Sequence, residues 1–149
     1  MSKKVNKKKL IADVSSSIEA FEECPDEMKD DEEVVLAAVN YSGSSLQYAS
    51  ARLKDNLKIV QAADDEDIDA LGYASDRLRG DRELVLSSVK VWGQTLQHAS
   101  EELRNDKQVV LAAIKARASS IQYASDSLKK DSAFLKAARK IDSEVDDYL

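Results

Sequence analysis

Few side chains in this sequence are of the types that usually carry out catalysis or bind a metal. The chain of 149 residues contains one His, His98, and one Cys, Cys24. Nucleophilic catalysis would need one of these residues paired with a base or nucleophile, and no motif around either supports such a pair. A single Cys forms no disulfide within the chain, and a zinc site of the usual Cys and His type needs more ligands. We therefore expect a protein that is not an enzyme and has no cofactor.

The densest group of charged side chains is an acidic run at residues 64–69. Its carboxylates belong to Asp64, Asp65, Glu66, Asp67 and Asp69. Four acids of this region mimic positions of a calcium-binding loop: Asp65, Asp67, Asp69 and Asp76. However, Ala70 stands where such a loop needs Gly, and Asp76 stands where it needs Glu. Three interpretations stay open: a solvated acidic loop, a contact patch for a basic partner, and a calcium site.

Charge is distributed unevenly along the chain. Residues 1–9 hold five of the 22 basic residues and none of the 28 acidic ones, so residues 10–149 carry −11 although the whole chain carries −6. Such an acidic body repels phosphate backbones, so we expect no nucleic-acid partner. The basic segment is followed by no apolar stretch of the kind found in signal peptides, and no apolar run approaches the roughly 20 residues of a membrane span. We expect a cytoplasmic protein whose residues 1–9 form a flexible tail, with a weak tether to an anionic surface as the alternative.

The chain repeats itself every 25 residues, and this repeat predicts the elements that position the side chains above. One leucine column shows the spacing: Leu53, Leu78, Leu103 and Leu128. A second column opens each repeat: Asp31, Asn56, Asp81, Asp106 and Asp131. The same spacing, extended backwards, defines five repeats at 6–30, 31–55, 56–80, 81–105 and 106–130, numbered 1 to 5, and a partial capping repeat at 131–149.

Each repeat is predicted to contain two short helices. Asp or Asn at the opening position is a good N-cap, and the helix that follows, Glu32–Tyr41 in repeat 2, is apolar almost all round and must be buried. Gly43 and Gly93 are placed to end this first helix in a left-handed turn. The second helix should run over about residues 45–54, with one face formed by Leu46, Ala49 and Leu53.

Stacking gives these short helices a core that one isolated pair lacks. The sequence therefore predicts an all-α fold, an α-solenoid of stacked two-helix repeats that forms a single domain over residues 1–149. In repeat 3 the acidic run is expected to end the first helix near Ala63 and to leave Asp67 or Asp69 as the cap of the second. Cys24 occupies an Ala position of the repeat, so we expect it to be a small buried residue.

Aromatic residues mark two further positions of the repeat. Tyr48, Tyr73 and Tyr123 share one position with His98, which acts there as a substitute for Tyr. Each ring either covers aliphatic surface of the neighbouring repeat or belongs to a binding strip. Trp92 stands where other repeats have polar residues, namely Ser42, Asp67, Arg117 and Asp142. This position should be an exposed edge, where Trp92 is either a partial plug beside Val91 or an anchor for a partner.

The repeat pattern resembles that of a known family. The pattern is Asp-x-x-Val-Val-Leu-x-Ala-Val, then Gly, then Leu-x-Tyr-Ala-Ser-x-x-Leu-(Lys/Arg)-x-Asp. It is similar to the tandem repeats catalogued as domain of unknown function 4116. The motif extends over residues 31–130, and repeats 2, 4 and 5 match it best. The resemblance implies a protein of the kind found among bacterial secreted effectors and in viral or protist proteins. It implies no chemistry and supplies no binding residues.

These observations favour a non-enzymatic, helical-repeat protein-interaction module whose partner is another protein. The candidate partner-binding residues are Trp92, Asp64, Asp65, Glu66, Asp67, Asp69, Tyr48, Tyr73 and Tyr123. The alternative is an effector or inhibitor encoded by a pathogen or mobile element. Such a protein would use its acidic surface to block a basic groove on a host protein, in the host cytoplasm.

Overall fold

The computed structural model describes residues 5–149, and every regular element in that range is a helix. The chain divides into two compact units, Met1–Ser75 (unit 1) and Asp76–Leu149 (unit 2). The boundary lies inside repeat 3 of the domain predicted over residues 1–149. A repeat array is quasi-one-dimensional, because each repeat contacts mainly its neighbours, and such an array has no single centre of contacts.

Unit 1 contains six α-helices and two 3₁₀ helices among its described residues. The α-helices are α1 Lys7–Val14, α2 Ile18–Glu22, α3 Asp26–Lys29, α4 Glu32–Tyr41, α5 Ala51–Lys54 and α6 Leu57–Glu66. The 3₁₀ helices are Gly43–Tyr48 and Ala70–Tyr73.

Unit 2 contains six α-helices and three 3₁₀ helices. The α-helices are α7 Asp76–Arg79, α8 Arg82–Val91, α9 Glu101–Arg104, α10 Lys107–Ala116, α11 Asp126–Lys130 and α12 Ser132–Ile141. The 3₁₀ helices are Gly93–His98, Ala118–Tyr123 and Ser143–Tyr148. Helix α8 packs on α10, and α10 packs on α12, so the long helices of successive repeats are stacked. The all-α fold of stacked helical repeats is confirmed.

Each complete repeat has three elements where the sequence predicted two. The predicted helix at residues 45–54 is divided into the 3₁₀ helix Gly43–Tyr48 and the single turn α5, because Ala49 and Ser50 are extended. The Ser50 N–H donates to the Lys29 carbonyl of the preceding repeat at 2.9 Å. The same bond recurs at Ser75, Ser100 and Ser125. A continuous helix would direct this N–H into its own helix, so the bond between repeats requires the break.

Serine side chains add a second bond at these junctions. The Ser125 hydroxyl donates to Asn105 Oδ1 of the preceding repeat at 2.6 Å, and its oxygen accepts a bond from the Leu128 N–H. The Ser50 hydroxyl donates in the same way to Asp30. This serine therefore both caps the short helix of its own repeat and joins two repeats.

Acidic or amide side chains cap the long helices, as predicted. Asp31 accepts bonds from the backbone N–H groups of Glu33 and Val34 at 3.1 and 3.2 Å. Asn6, Asn56, Asp81, Asp106 and Asp131 occupy the same position and accept equivalent bonds.

The core of each unit is built from the same positions of successive repeats. In α4 the buried residues are Val34, Val35, Ala38 and Val39, and the predicted face at Leu46, Ala49 and Leu53 is buried as well. The leucine column at residues 53, 78, 103 and 128 is at most 7% exposed. Cys24 is also buried, and burial raises the pKa of its thiol above the ordinary value.

The prediction of left-handed turns at Gly43 and Gly93 is wrong, since no residue that the structure describes has a positive φ. The physical reason for glycine is a close approach between repeats. A Cβ on Gly93 would lie 2.5 Å from the Ala113 carbonyl oxygen and 2.5 Å from Ser120 Oγ. A Cβ on Gly43 would collide with the Ala63 carbonyl oxygen in the same way.

The basic segment at the N-terminus is only partly a tail. Lys3 and Lys4 lie outside the described residues, but α1 begins at Lys7, so residues 7–9 are helical and the prediction of a flexible tail is wrong for them. Lys7 Nζ pairs with Asp31 at 2.8 Å and with Glu33 at 2.9 Å, which ties repeat 1 to repeat 2.

Candidate interaction surfaces

The acidic run does not shorten the first helix of repeat 3. Helix α6 continues beyond Ala63 to Glu66 and is 10 residues long, as α4 is, so the prediction of an early end is wrong. The Asp67 N–H donates to the Ala63 carbonyl at 3.0 Å, which closes the last turn. Packing of α6 against α4 thus outweighs the unfavourable contact of acids with the negative end of the helix dipole.

The five acids of the run have different environments. Asp64 is buried, with 6% of its surface exposed, at the position where other repeats have Val39, Val89 or Ile114. Asp65, Glu66 and Asp69 are exposed. Asp67 is half-buried, and its side chain accepts a bond from the Asp69 N–H at 2.9 Å instead of capping the following 3₁₀ helix. The exposed part of the run is therefore smaller than the sequence suggested.

No group of three or more His, Cys, Asp or Glu side chains among residues 5–149 is arranged to hold a metal ion. In unit 1, Asp65 lies on α6, whereas Asp67 and Asp69 lie in the turn that follows. A helix and a turn direct their carboxylates differently, whereas a calcium-binding loop directs its ligands to one centre.

The tyrosine positions are half-buried in both units. Burial of the Tyr48 hydroxyl raises its pKa above the ordinary value, and the nearby Glu22 carboxylate and Tyr73 add to this shift. The two 3₁₀ helices that carry Tyr48 and Tyr73 pack against each other in unit 1. In unit 2, Tyr123 lines a shallow polar depression of about 460 Å³ together with Glu101 and Arg104. Each of these side chains therefore packs partly against its surroundings and remains partly accessible to solvent.

Trp92 lies at an exposed edge, as its polar equivalents predicted. It is the C-cap residue of α8, and its side chain is 43% exposed while that of the preceding Val91 is 67% exposed. Its backbone is held on both sides, because its N–H donates to the Ser88 carbonyl and its carbonyl accepts from the Thr95 N–H, both at 2.8 Å. The ring is thus presented to solvent from a fixed backbone. Trp92 belongs to unit 2 and the acidic run to unit 1.

One feature of the surface was missed by sequence reasoning. Lys90, Lys115 and Lys140 occupy one repeat position, all three are exposed, and all three lie in unit 2. The signal was present as a 25-residue spacing, but the net charge of −11 over residues 10–149 concealed it. Unit 1 contains 9 basic and 16 acidic residues, whereas unit 2 contains 13 basic and 12 acidic residues. The two units therefore differ in charge, at −7 and +1.

No helix among the described residues is long and apolar enough to cross a membrane. Comparison with known families found one match. The sequence profile of the family described as Domain of unknown function (DUF4116) matches five overlapping segments, residues 10–54, 31–79, 65–104, 81–129 and 106–138. No curated protein and no solved structure matches the chain.

Proposed function

We propose that this chain, which belongs to the family described as Domain of unknown function (DUF4116), is a non-enzymatic, helical-repeat protein-interaction module. The observation that carries this proposal is the exposed pair Val91 and Trp92 at the end of α8. Adjacent large apolar side chains that remain in water are typical of surfaces that bind another protein. Tryptophan is also among the residues that contribute most to such interfaces.

The division between constant and variable positions supports the same function. The leucine column that faces the core stays apolar through the array: it has Leu in repeats 2 to 5, ending at Leu128, and Met28 in repeat 1. The residues that end the long helices change from repeat to repeat: Asn40-Tyr41-Ser42, Asp65-Glu66-Asp67, Lys90-Val91-Trp92, Lys115-Ala116-Arg117 and Lys140-Ile141-Asp142. The array thus presents equivalent sites of different chemistry, a property on which repeat proteins rely for recognition.

A second candidate is an effector or inhibitor that blocks a basic groove on a host protein. The net charge of −7 on unit 1 favours it, together with the exposed Asp65, Glu66 and Asp69. Such a surface would attract a basic partner over distances of about one Debye length, about 8 Å in physiological salt.

Affinity capture from the native lysate, with quantification by mass spectrometry, tests the interaction function. The immobilised proteins are the parent chain, Trp92→Ala and Tyr41→Ala. Tyr41 is a matched control, because it is an aromatic residue that is 49% exposed at the end of α4 in the other unit. We expect a protein that the parent and Tyr41→Ala retain and that Trp92→Ala loses. Equal capture by all three proteins would place the contact elsewhere, and no capture above the matrix control would contradict the function.

A further inference from the structure

Each long helix of unit 2 ends in a lysine followed by an apolar residue. The pairs are Lys90-Val91, Lys115-Ala116 and Lys140-Ile141, in the last turns of α8, α10 and α12. The equivalent pairs of unit 1 are Ser15-Ser16, Asn40-Tyr41 and Asp65-Glu66. We name the side chains of the three pairs, together with Trp92, the lysine–apolar surface.

Packing brings members of this surface together. Helix α8 packs on α10, and α10 packs on α12. Lys90 and Lys115 line one shallow depression of about 370 Å³ together with Ala112 and Ala116. Val91, Trp92 and Ile141 are 67%, 43% and 41% exposed. The surface therefore combines a row of cations with apolar side chains that are available for contact.

Several other cations of unit 2 are paired with carboxylates. Arg82 pairs with Asp106 at 2.9 Å, Lys107 with Asp131 at 2.6 Å, and Arg139 with Asp146 at 2.8 Å. Among the residues that the structure describes, Lys90, Lys115 and Lys140 have no carboxylate within 4.0 Å. The nearby Asp142 instead accepts a bond from the Glu144 N–H.

Favourable interaction with the helix dipole accounts for a lysine in a last turn but not for the apolar residue beside it. Exposed Val, Trp and Ile side chains lie next to unpaired cations on this surface. Binding is therefore most favourable for a partner that both neutralises the charge and covers the apolar side chains. A phosphate backbone supplies charge without apolar contact. An acidic amphipathic peptide supplies both.

Spacing further defines the partner. Stacked helices lie about 8–10 Å apart, so equivalent lysines of successive repeats are separated by about this distance. An α-helix rises about 1.5 Å per residue, so acids seven residues apart on one face are separated by about 10.5 Å. Acids at positions i, i+7 and i+14 of a partner helix therefore have a spacing close to that of the row from Lys90 to Lys140.

We propose that the lysine–apolar surface docks an acidic amphipathic helix of a partner protein. In this arrangement Lys90, Lys115 and Lys140 face acids spaced about seven residues apart. Trp92 and Val91 contact a large apolar side chain between the acids. The inference rests on the proposed interaction function and adds the chemical class of the partner.

Selection from a phage-displayed library of random peptides tests this chemistry directly, because it does not require the natural partner. Peptides of about 18 residues are long enough to hold acids at i, i+7 and i+14. The baits are the parent chain, the charge reversal Lys90→Glu/Lys115→Glu/Lys140→Glu, and the matched control Lys8→Glu/Lys9→Glu/Lys58→Glu. The control changes the net charge equally at exposed lysines of unit 1. Circular dichroism verifies that all three baits are folded.

We expect the parent and the control to enrich acidic amphipathic peptides and the charge-reversed protein to bind them about tenfold or more weakly. Because Trp92 is the only tryptophan of the chain, its fluorescence reports binding at this surface directly. Titration with a selected peptide should shift its emission in the parent and in the control.

Two results would overturn the inference and leave the interaction module standing: selection of peptides without acids, or acidic peptides that bind the charge-reversed protein equally well. A larger emission change with a single-stranded oligonucleotide or an anionic lipid vesicle than with the peptide would assign the surface to phosphates. A change in Trp92 emission with protein concentration alone would assign the lysine–apolar surface to a second copy of the chain. No enrichment on any bait, with no Trp92-dependent capture from lysate, would contradict the proposed function as well.

Discussion

Leu103 shows how a single residue contributes to several contacts of the array. It belongs to the short helix α9 and is 7% exposed in the middle of unit 2. Neighbouring backbone atoms are held by bonds between repeats, so the site has little freedom to collapse around a smaller side chain.

We therefore expect Leu103→Ala to lower the free energy of unfolding by about 2–5 kcal/mol, since the lost methyl groups leave a cavity. Urea denaturation followed by circular dichroism measures this change. Glu102→Ala, an exposed neighbour on the same short helix, serves as the control and should change stability by less than about 0.5 kcal/mol. A loss below about 1 kcal/mol for Leu103→Ala would mean that the leucine column is not part of the core.

Glycine is required at position 93 because of the atoms that lie opposite it and not because of its own backbone angle. The absent Cβ leaves room for the Ala113 carbonyl of the next long helix, as at Gly43 with Ala63. Sequence patterns identify a glycine at the end of a helix but do not reveal which of these two reasons applies, because both lead to the same residue.

The contact between the Gly93–His98 element and α10 can be tested with a pair of glycine variants. Gly93→Ala should lower the free energy of unfolding by about 1–3 kcal/mol, because the new methyl group meets a backbone oxygen and the chain must shift. Gly80→Ala is the matched control, since its Cβ would meet its nearest atom, the Asp76 carbonyl oxygen, at 3.4 Å. Thermal unfolding of both variants measures the difference. Equal melting temperatures would contradict the close approach.

Helix α6 has the normal length but a weaker apolar face than its equivalents. Gln61 is exposed at a position where Leu36, Leu86 and Leu111 are half-buried, and Asp64 is buried at a position of Val or Ile. Both changes reduce the apolar area that folding removes from water, and this area is the main source of stability in stacked repeats.

We expect backbone amides of α6 to exchange with deuterium faster than those of α8 and α10. Native-state hydrogen exchange monitored by mass spectrometry measures this difference. Helix α8, residues 82–91, is the reference because it has the same length of 10 residues. Restoring the apolar residue with Gln61→Leu should slow exchange in α6. Exchange in the parent that is equal to or slower than in α8 would show that other contacts compensate for the acidic run.

At the scale of the whole molecule, charge is separated along the chain. Unit 1 carries −7 and unit 2 carries +1, and the exposed acids of α6 contrast with the lysines at the ends of α8, α10 and α12. Charged surfaces affect mainly the rate at which a partner arrives, whereas buried apolar contacts affect mainly how long it stays.

Surface plasmon resonance with a captured partner at two salt concentrations separates these contributions. Asp65→Asn/Glu66→Gln/Asp67→Asn should slow association with a basic partner and make it less dependent on salt. Trp92→Ala should instead accelerate dissociation and cost about 2 kcal/mol or more of binding free energy. If both variants bind like the parent, the tyrosine positions become the next candidates: Tyr48 and Tyr73 in unit 1, and Tyr123 in unit 2.

The sequence alone was enough to predict the all-α class, the 25-residue register, the capping residues and the buried leucine column. These features depend on local chemistry and on a spacing that recurs along the chain. A side chain such as Asp31 caps whichever helix follows it, and Leu103 recurs on an apolar face in register with Leu78 and Leu128.

The tertiary structure decided the features that depend on the neighbouring repeat. The helix breaks at Ser50 because a carbonyl of the preceding repeat accepts its N–H, and Gly93 lies close to the next long helix. Likewise, α6 continues to Glu66 because it packs against α4. The position of a neighbour's carbonyl follows from packing between residues that belong to different repeats. Local preferences do not contain that information, since they act within a few residues.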